Sequence, residues 1–531
     1  MLTGTQESFY DLVFYQIYPR SFKDSNGDGI GDLNGITEKL DYLCDLGINA
    51  IWLSPCYKSP NDDNGYDISD YCDIMDEFGT MDDWKRMISE MHKRGMKLIM
   101  DLVANHTSSA HRWFKEARKS KDNPYRDYYY WSDEPFGGYT SAFGGSAWEY
   151  DEQTQQYYFH SYAVSQPDLN WENPKVREEM VKVVDFWIDL GVDGFRCDVL
   201  DQISKDLKNN VYSNGPRLHE YINLLFGREK TKKIFTVGEC WGAGESNIKN
   251  LIDGSRHELS AAFQFEHLGV GRPAKFLPEN ATFDAVRDVL IKWQNIMQKN
   301  ELLYMLFWEN HDQPRSVSRF ANDRELRYES ATMLASMIFL QKGVPFIYQG
   351  EEIGVTNNIS DRIEDYDDIE TINYYNENPH HLSHEELMAG INRDSRDHAR
   401  HPMPWNGNSD SGFGSTKPWF GLYNRFEEIN VEKDINSEKS IYKFYQKLLK
   451  IRKNSNAVRH GIYENLTAER SGCYIYKMSD NSEEIYVFCN FGAENNIETD
   501  IQGEILLSNR GRDSICGKYL PYECAIIRKD K

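Results

Sequence analysis

Apolar residues recur along this chain as one unit: a run at helical spacing, a glycine, then a short stretch that is almost wholly apolar. Leu40, Leu43 and Leu46 share a helix face that Gly47 ends, and INAIWLSP follows. Trp84, Met87, Ile88 and Met91 repeat the arrangement before Gly95 and MKLIMDLV. A third copy opens on Pro174, suited to a first helical turn, runs through Val176, Met180, Val184 and Trp187, and passes Gly191 into GFRCDVL. Strands apolar on both faces and separated by helices imply a parallel sheet with helices outside. FYQIYP ahead of these units and IFTVGEC, AAFQFEH, LYMLFWEN and VPFIYQG after them bring the strands to eight, the number of an α/β fold closed as a (β/α)8 TIM barrel.

The interruptions of this rhythm mark the other parts. From Val103 to Asp193 lie about ninety residues, twice what one helix and its loops need. Residues 107–170 therefore read as an inserted subdomain after the third strand, dense in aromatics and glycines (YRDYYYWSDEP, FGGSAWEY, QQYYFHSY). Its rings suit sugar stacking, or simply pack the excursion. A second polar insert, from Thr356 to Gly390, follows the eighth strand. KSIYKFYQKLLKIRKN then closes the barrel, and GCYIYKMSDNSEEIYVFCNF alternates at period two across a polar turn. The expected organisation is barrel over 1–106, insert over 107–170, barrel again over 171–455, and a C-terminal antiparallel β-sandwich domain over 456–531.

Charge and cysteine usage narrow the partners. The 84 acidic against 60 basic residues, a net charge of -24, argue against nucleic acid or an anionic membrane and leave neutral substrates open. The 9 cysteines are scattered singly, without metal-site spacing, so neither a disulfide framework nor a zinc site is indicated. MLTGTQESFYDLVFYQ lacks a basic start with an apolar core, and no membrane-length apolar run occurs, so a cytoplasmic protein is expected. Oligomeric state is not legible.

Chemistry in this fold belongs at the C-terminal ends of the strands. Those ends are charged: DLVANH (Asp101, His106), GFRCD (Arg196, Asp198), VGE (Glu239) and WENHD (Glu309, His311, Asp312). Alternation puts Arg196 and Asp198 on one face, where Arg196 is expected to keep the carboxylate ionised as a nucleophile. A structural ion pair accounts for those two residues equally well, but not for the carboxylates on later strands. Several carboxylates in one mouth repel, so one is expected to be protonated and available as an acid. Nucleophile plus acid is the apparatus of glycoside hydrolysis.

A different chemistry marks DSNGDGIGDL. Asp24, Asn26, Asp28, the Ile30 carbonyl and Asp32 fill the first five ligand positions of a calcium loop, while Gly35 stands where an EF-hand needs Glu. A structural Ca2+ site outside an EF-hand is expected; an ordinary Asp/Asn/Gly turn is the alternative. No organic cofactor is indicated.

DLVANH, GFRCDVL, TVGEC and FWENHD resemble, in order and spacing, four conserved regions of the α-amylase family (glycoside hydrolase family 13), and QPDLN resembles a fifth. With NDDNGYD, YQGEEIG and RDHARHPMPW the likeness spans nearly the whole chain, most closely to the oligo-1,6-glucosidase and dextran glucosidase branch. The resemblance implies Asp198 as nucleophile, Glu239 as general acid/base and Asp312 as transition-state stabiliser. It places His106, Arg196 and His311 around the sugar, Asp63 and Arg396 on the far hydroxyls of the non-reducing glucose, and Tyr66 beneath its ring. Asp101 reads as structural. In that branch the opening loop is a calcium site.

Two positions bear on linkage. Val199 after the nucleophile resembles α-1,6-specific members, and GECWG resembles the GETWG of dextran glucosidases, so Trp241 is expected to stack on the next sugar, or else to pack. His401 and Pro404 depart from the usual ARTPMQW, and Glu309 replaces a common Asn, which is expected to alter the rim near Asp312. The activity implied is exo-hydrolysis of α-1,6 bonds in a neutral oligosaccharide. The alternatives are an α-1,4-glucosidase, a sucrase or a sucrose isomerase on the same site, and, remotely, a non-catalytic glucosidase-like interaction subunit.

Overall fold

A computed structural model describes residues 6–278, 282–468 and 470–531. Eight parallel strands form its centre: β1 (Phe14–Ile17), β2 (Ala50–Leu53), β3 (Lys97–Val103), β4 (Gly194–Asp198), β5 (Phe235–Glu239), β6 (Ala261–Phe263), β7 (Met305–Leu306) and β8 (Val344–Tyr348). Their order in the sheet is β6-β5-β4-β3-β2-β1-β8-β7, and a parallel bridge between Ala262 and Tyr304 brings β6 to the start of β7, closing a barrel. The helices that follow are α1 (Leu40–Leu46), α2 (Met81–Lys93), α3 (Pro174–Asp189), α4 (Leu218–Phe226), α5 (Ile248–Ile252), α6 (Phe283–Lys299), α7 (Arg327–Phe339) and α8 (Ile441–Asn454).

Local chemistry sets these elements. Gly47 ends α1 at φ 106, a left-handed geometry that a side chain would resist, and its N–H donates to the Leu43 and Cys44 carbonyls. Thr80 and Asp83 form a reciprocal capping box at the start of α2, and Asn173 caps α3 ahead of Pro174. Strands β1, β2, β4, β5 and β8 are buried along their whole length, as a parallel sheet covered by helices requires. The pattern overestimates β6 and β7. AAFQFEH and LYMLFWEN keep three and two residues in the ladder, because the chain leaves the sheet early to form the loops at the barrel mouth.

Residues 107–170 fold over that mouth around a small antiparallel sheet of Trp131–Ser132, Gln156–Phe159 and Trp148–Asp151. The insert after β8 contributes helices Ile369–Glu377 and His384–Asp394, and the two inserts meet where the Asn373 amide donates to the Phe143 carbonyl at 2.8 Å. After α8 comes a five-stranded antiparallel sheet with a two-stranded partner, Asn495–Ile497 and Gly517–Tyr519. One face of the larger sheet packs on α7, where the Tyr476 hydroxyl donates to the Ser336 carbonyl at 3.0 Å. Its other face shares a core of Ile475, Phe488, Tyr519 and Ile527 with the small sheet. All nine cysteines are free, and among the described residues no helix is long and apolar enough to cross a membrane.

Candidate active site

The strand ends converge on a cavity of about 810 Å3, lined by Asp63, Tyr66, His106, Asp198, Val199, Glu239, Trp241, Asp312 and Arg396. Nine of the eleven residues expected to touch substrate or reacting atoms thus share one wall. The other two, Arg196 and His311, lie directly behind it.

Arg196 organises the catalytic end. Its Nη1 donates to Asp198 Oδ1 at 2.7 Å and to Asp101 Oδ1 at 2.8 Å, and its Nη2 pairs with Glu239 Oε2. Asp101 is fully buried and also accepts from the Trp52 indole and the Tyr66 hydroxyl, each at 3.0 Å, which makes it a brace for Arg196 and Tyr66. One guanidinium therefore serves three carboxylates. The expectation that Arg196 keeps Asp198 ionised is corrected by this sharing: burial pushes the Asp198 carboxyl well above the usual range, the Glu239 and Asp101 charges add to it, and Arg196 does not cancel the sum.

Asp312 stands in the opposite field. Burial alone would raise its pKa, but His311, Arg396 and Arg400 outweigh burial and hold it well below the usual range. The Gln16 amide donates to His311 Nδ1 at 2.8 Å, which leaves the ring proton on Nε2, 3.0 Å from Asp312 Oδ2. Arg396 and Arg400 reach Asp312 Oδ1 at 3.1 and 3.0 Å. Both arginines also bind the buried Asp368, Arg396 at 2.5 Å and Arg400 at 3.3 Å.

The closed end of the pocket follows from the same cluster. Arg396 Nη2 lies 3.4 Å from Asp63 Oδ1, and the Gln166 amide donates to Asp63 Oδ2 at 3.0 Å. Phe143 covers the Arg396 guanidinium, 4.9 Å from ring centre to Cζ. Tyr66 stacks on His311 with ring centres 5.2 Å apart and planes 10° from parallel, so its other face is offered to the cavity. Burial lowers the His106 pKa to about 4, leaving a neutral ring beside Tyr162. Arg400, Asp368 and Phe143 escaped sequence reasoning. The first was legible in the RDHAR spacing, four residues from Arg396, whereas Asp368 and Phe143 come from inserts without periodic pattern.

Val199 turns the chain out of β4. It sits at φ 35, ψ 45, a left-handed conformation uncommon for a β-branched residue, and its N–H points to Glu239 Oε2 at 3.4 Å. This bend aims Asp198 into the cavity and puts the Val199 side chain on its wall. Trp241, two residues beyond Glu239, is 54% exposed and stacks on Phe265 at 4.2 Å, and its indole N–H donates to Glu239 Oε1 at 2.8 Å.

Two departures from the family pattern lie outside the pocket. Glu309 pairs with Arg315 at 2.9 Å and accepts the Ser316 N–H at 2.5 Å, buried behind Asp312, so the expectation that it alters the rim is corrected. His401 stacks on Phe420 and donates from Nδ1 to the Gly421 carbonyl at 2.6 Å.

The opening loop keeps its oxygen-rich character. Asp24 takes the Asn26, Gly27 and Gly29 N–H groups, Asn26 Oδ1 takes that of Asp28, and Asp28 Oδ1 that of Ile30. Asp24 Oδ1 spends both lone pairs on Asn26 and Gly27, whereas Asp24 Oδ2, Asn26 Oδ1 and Asp28 Oδ1 each keep one, and an all-oxygen donor set fits a hard cation. Asp32 differs: its carboxylate caps the following helix through Gly35 and binds Ser25 with both oxygens. Among the described residues no three acidic, His or Cys side chains are gathered as a ready-made metal cluster.

The comparisons agree with this geometry. Residues 16–461 match the family described as alpha amylase, catalytic domain. The chain is 47% identical to an oligo-1,6-glucosidase of Parageobacillus thermoglucosidasius, over 91% of this chain and 90% of the relative. It is 46% identical to a glucan 1,6-alpha-glucosidase of Streptococcus pneumoniae, over 89% of each. Among solved structures, the trehalulose synthase MutB of Pseudomonas mesoacidophila superposes with a TM-score of 0.93 at 40% identity, covering 99% of both chains. The trehalose-6-phosphate hydrolase of Bacillus licheniformis does so at 0.91 and 39%, covering 98% of this chain and 100% of that one. The chain belongs to the α-amylase family and is a glycoside hydrolase.

Proposed function

We propose that this protein is a retaining, exo-acting α-glucosidase that removes glucose from the non-reducing end of α-1,6-linked oligosaccharides such as isomaltose, panose and dextran-derived chains. The observation that carries the reading is the pairing of Asp198 and Glu239 through a single guanidinium, in a pocket closed by Asp63, Arg396 and Phe143. Carboxyls bound to the two terminal nitrogens of one guanidinium are close neighbours, which supports the about 5 Å spacing of a retaining pair over the about 6.5–9.5 Å of an inverting one. Asp198 attacks C1 while Glu239 gives its proton to the leaving oxygen. Water then passes a proton back to Glu239 and releases the sugar from Asp198. Asp312, kept ionised by His311, Arg396 and Arg400, faces the positive charge that develops on the ring. Asp63 and Arg396 hold the far hydroxyls.

The linkage reading rests on the apolar wall that Val199 makes beside Asp198 and on the names of the relatives. Cleavage of a phosphorylated disaccharide is disfavoured by the rim: Arg272 and Lys275, its cations, are paired with Asp394 and Glu370. The test is product analysis with isomaltose, panose, dextran, maltose, sucrose and trehalose 6-phosphate. Preferred release of glucose from isomaltose and panose is expected. Preferred maltose cleavage, or conversion of sucrose to an isomer, would transfer the assignment to the sister activities.

We further propose that Asp24, Asn26, Asp28 and the Ile30 carbonyl hold a structural Ca2+, with Asp32 the least available of the five expected ligands because the helix cap engages it. Nine free thiols support a reducing compartment, the cytoplasm.

A further inference from the structure

We infer that Trp241 is a positioning residue for Glu239: its indole N–H fixes Oε1 in the free enzyme and has to release it when a leaving sugar arrives. The inference rests on the acid/base reading of Glu239 above and adds to it. Both Glu239 oxygens face donors, Oε1 the indole at 2.8 Å and Oε2 the Arg196 guanidinium and the Val199 N–H at 3.4 Å. An indole N–H only donates, so this contact favours a carboxylate over a carboxylic acid. In the first half-reaction, however, the proton must sit on an oxygen aimed at the glycosidic bond. Of the two oxygens only Oε1 can be freed, since Oε2 is held by a buried, braced arginine.

The build of the loop supports such a movable clamp. Cys240 is buried between Glu239 and Trp241, and the Gly242 N–H is fixed on Asp201 Oδ2 at 2.8 Å, so the backbone on both sides is anchored. The Trp241 ring rests on Phe265 with planes 12° apart, while about half its surface opens on the cavity. A sugar on the leaving side meets this ring and the Glu239 oxygen it holds together. Binding of the leaving group and release of the acid are thereby joined in one side chain. When C1–O breaks, the Glu239 proton goes to the departing oxygen and the carboxylate recovers the indole; in the second half water attacks C1, its proton goes to Glu239, and the Asp198–C1 bond breaks.

The test is the pH dependence of kcat/KM for Trp241→Phe and Trp241→Ala, measured on isomaltose, isomaltotriose and a nitrophenyl α-glucoside. The last keeps the outcome readable if the linkage assignment fails. Loss of the donor is expected to move the alkaline limb upward by about half to one pH unit in both variants. Only Trp241→Ala, which also loses the stacked ring, is expected to raise KM for isomaltotriose. An alkaline limb unchanged in both variants would overturn the proposal and leave Trp241 as a stacking surface alone. In the unmodified protein, one tryptophan indole 1H–15N signal should move with pH and stand still in Glu239→Gln. Absence of any such signal would overturn it independently of whether the variants fold.

Discussion

Replacing Val199 by Thr tests where linkage choice resides. Val199 is 4% exposed, lies directly after Asp198 and holds a left-handed backbone at φ 35. Thr has the same branching, so the backbone strain is unchanged, and because Val199 lines the cavity the new hydroxyl enters its wall. The variant should therefore fold with a melting temperature close to the parent. What changes is the wall beside the leaving sugar. An α-1,6 link presents a methylene there, for which an apolar surface suffices, whereas an α-1,4 link brings a ring hydroxyl nearer, for which Val199 offers no partner. One pocket contact of this kind is worth about 1–3 kcal/mol, so the ratio of maltose to isomaltose kcat/KM should rise by roughly ten- to a hundredfold. The assay is glucose release from each disaccharide under identical conditions. An unchanged ratio in a folded variant would refute the reasoning and shift attention to Trp241 and the insert.

Other expectations follow from the geometry. Asp198→Asn removes a charge at constant volume and should abolish turnover while the fold melts normally; retained hydrolysis would exclude the nucleophile role. Chelation should lower the melting temperature, with added Ca2+ restoring it and low-temperature activity surviving, because bound ion stabilises only the folded state; a melting curve indifferent to both would leave the loop an ordinary turn. His267 is buried and held neutral, its pKa lowered to about 3 by burial and Arg319, while its Nε2 faces the Phe307 carbonyl at 3.1 Å. The unfolded chain, near 6.5, takes up this proton first as pH falls, so the advantage of the parent over His267→Gln should shrink by roughly 3 kcal/mol between pH 6.5 and 4. Parallel stability curves would contradict that.

The barrel was legible because its helices and strands carry one apolar pattern repeated with glycine stops, and because Gly47, Gly95, Pro174 and Gly191 say where elements begin and end. The strand-end charges were legible for a similar reason: a buried parallel strand has no other cause to finish in Asp or Glu. What stayed hidden depends on contacts across long sequence distance. Asp368 and Phe143 act through Arg396 from two inserts with no periodicity of their own. The sharing of Arg196 among Asp101, Asp198 and Glu239, which reverses the simple expectation for the Asp198 pKa, needs strands β3, β4 and β5 side by side. Glu309 read as a rim residue because its neighbours in sequence are; its own side chain turns back to Arg315.

The central claim is that Asp198 and Glu239 act as a retaining pair. The direct measurement is proton NMR of the anomeric region during the first minutes of hydrolysis of a nitrophenyl α-glucoside, whose leaving group has no anomeric proton, before glucose mutarotates. Glucose is expected to leave Asp198 as the α-anomer, whereas β-glucose as the initial product would exclude a retaining pair.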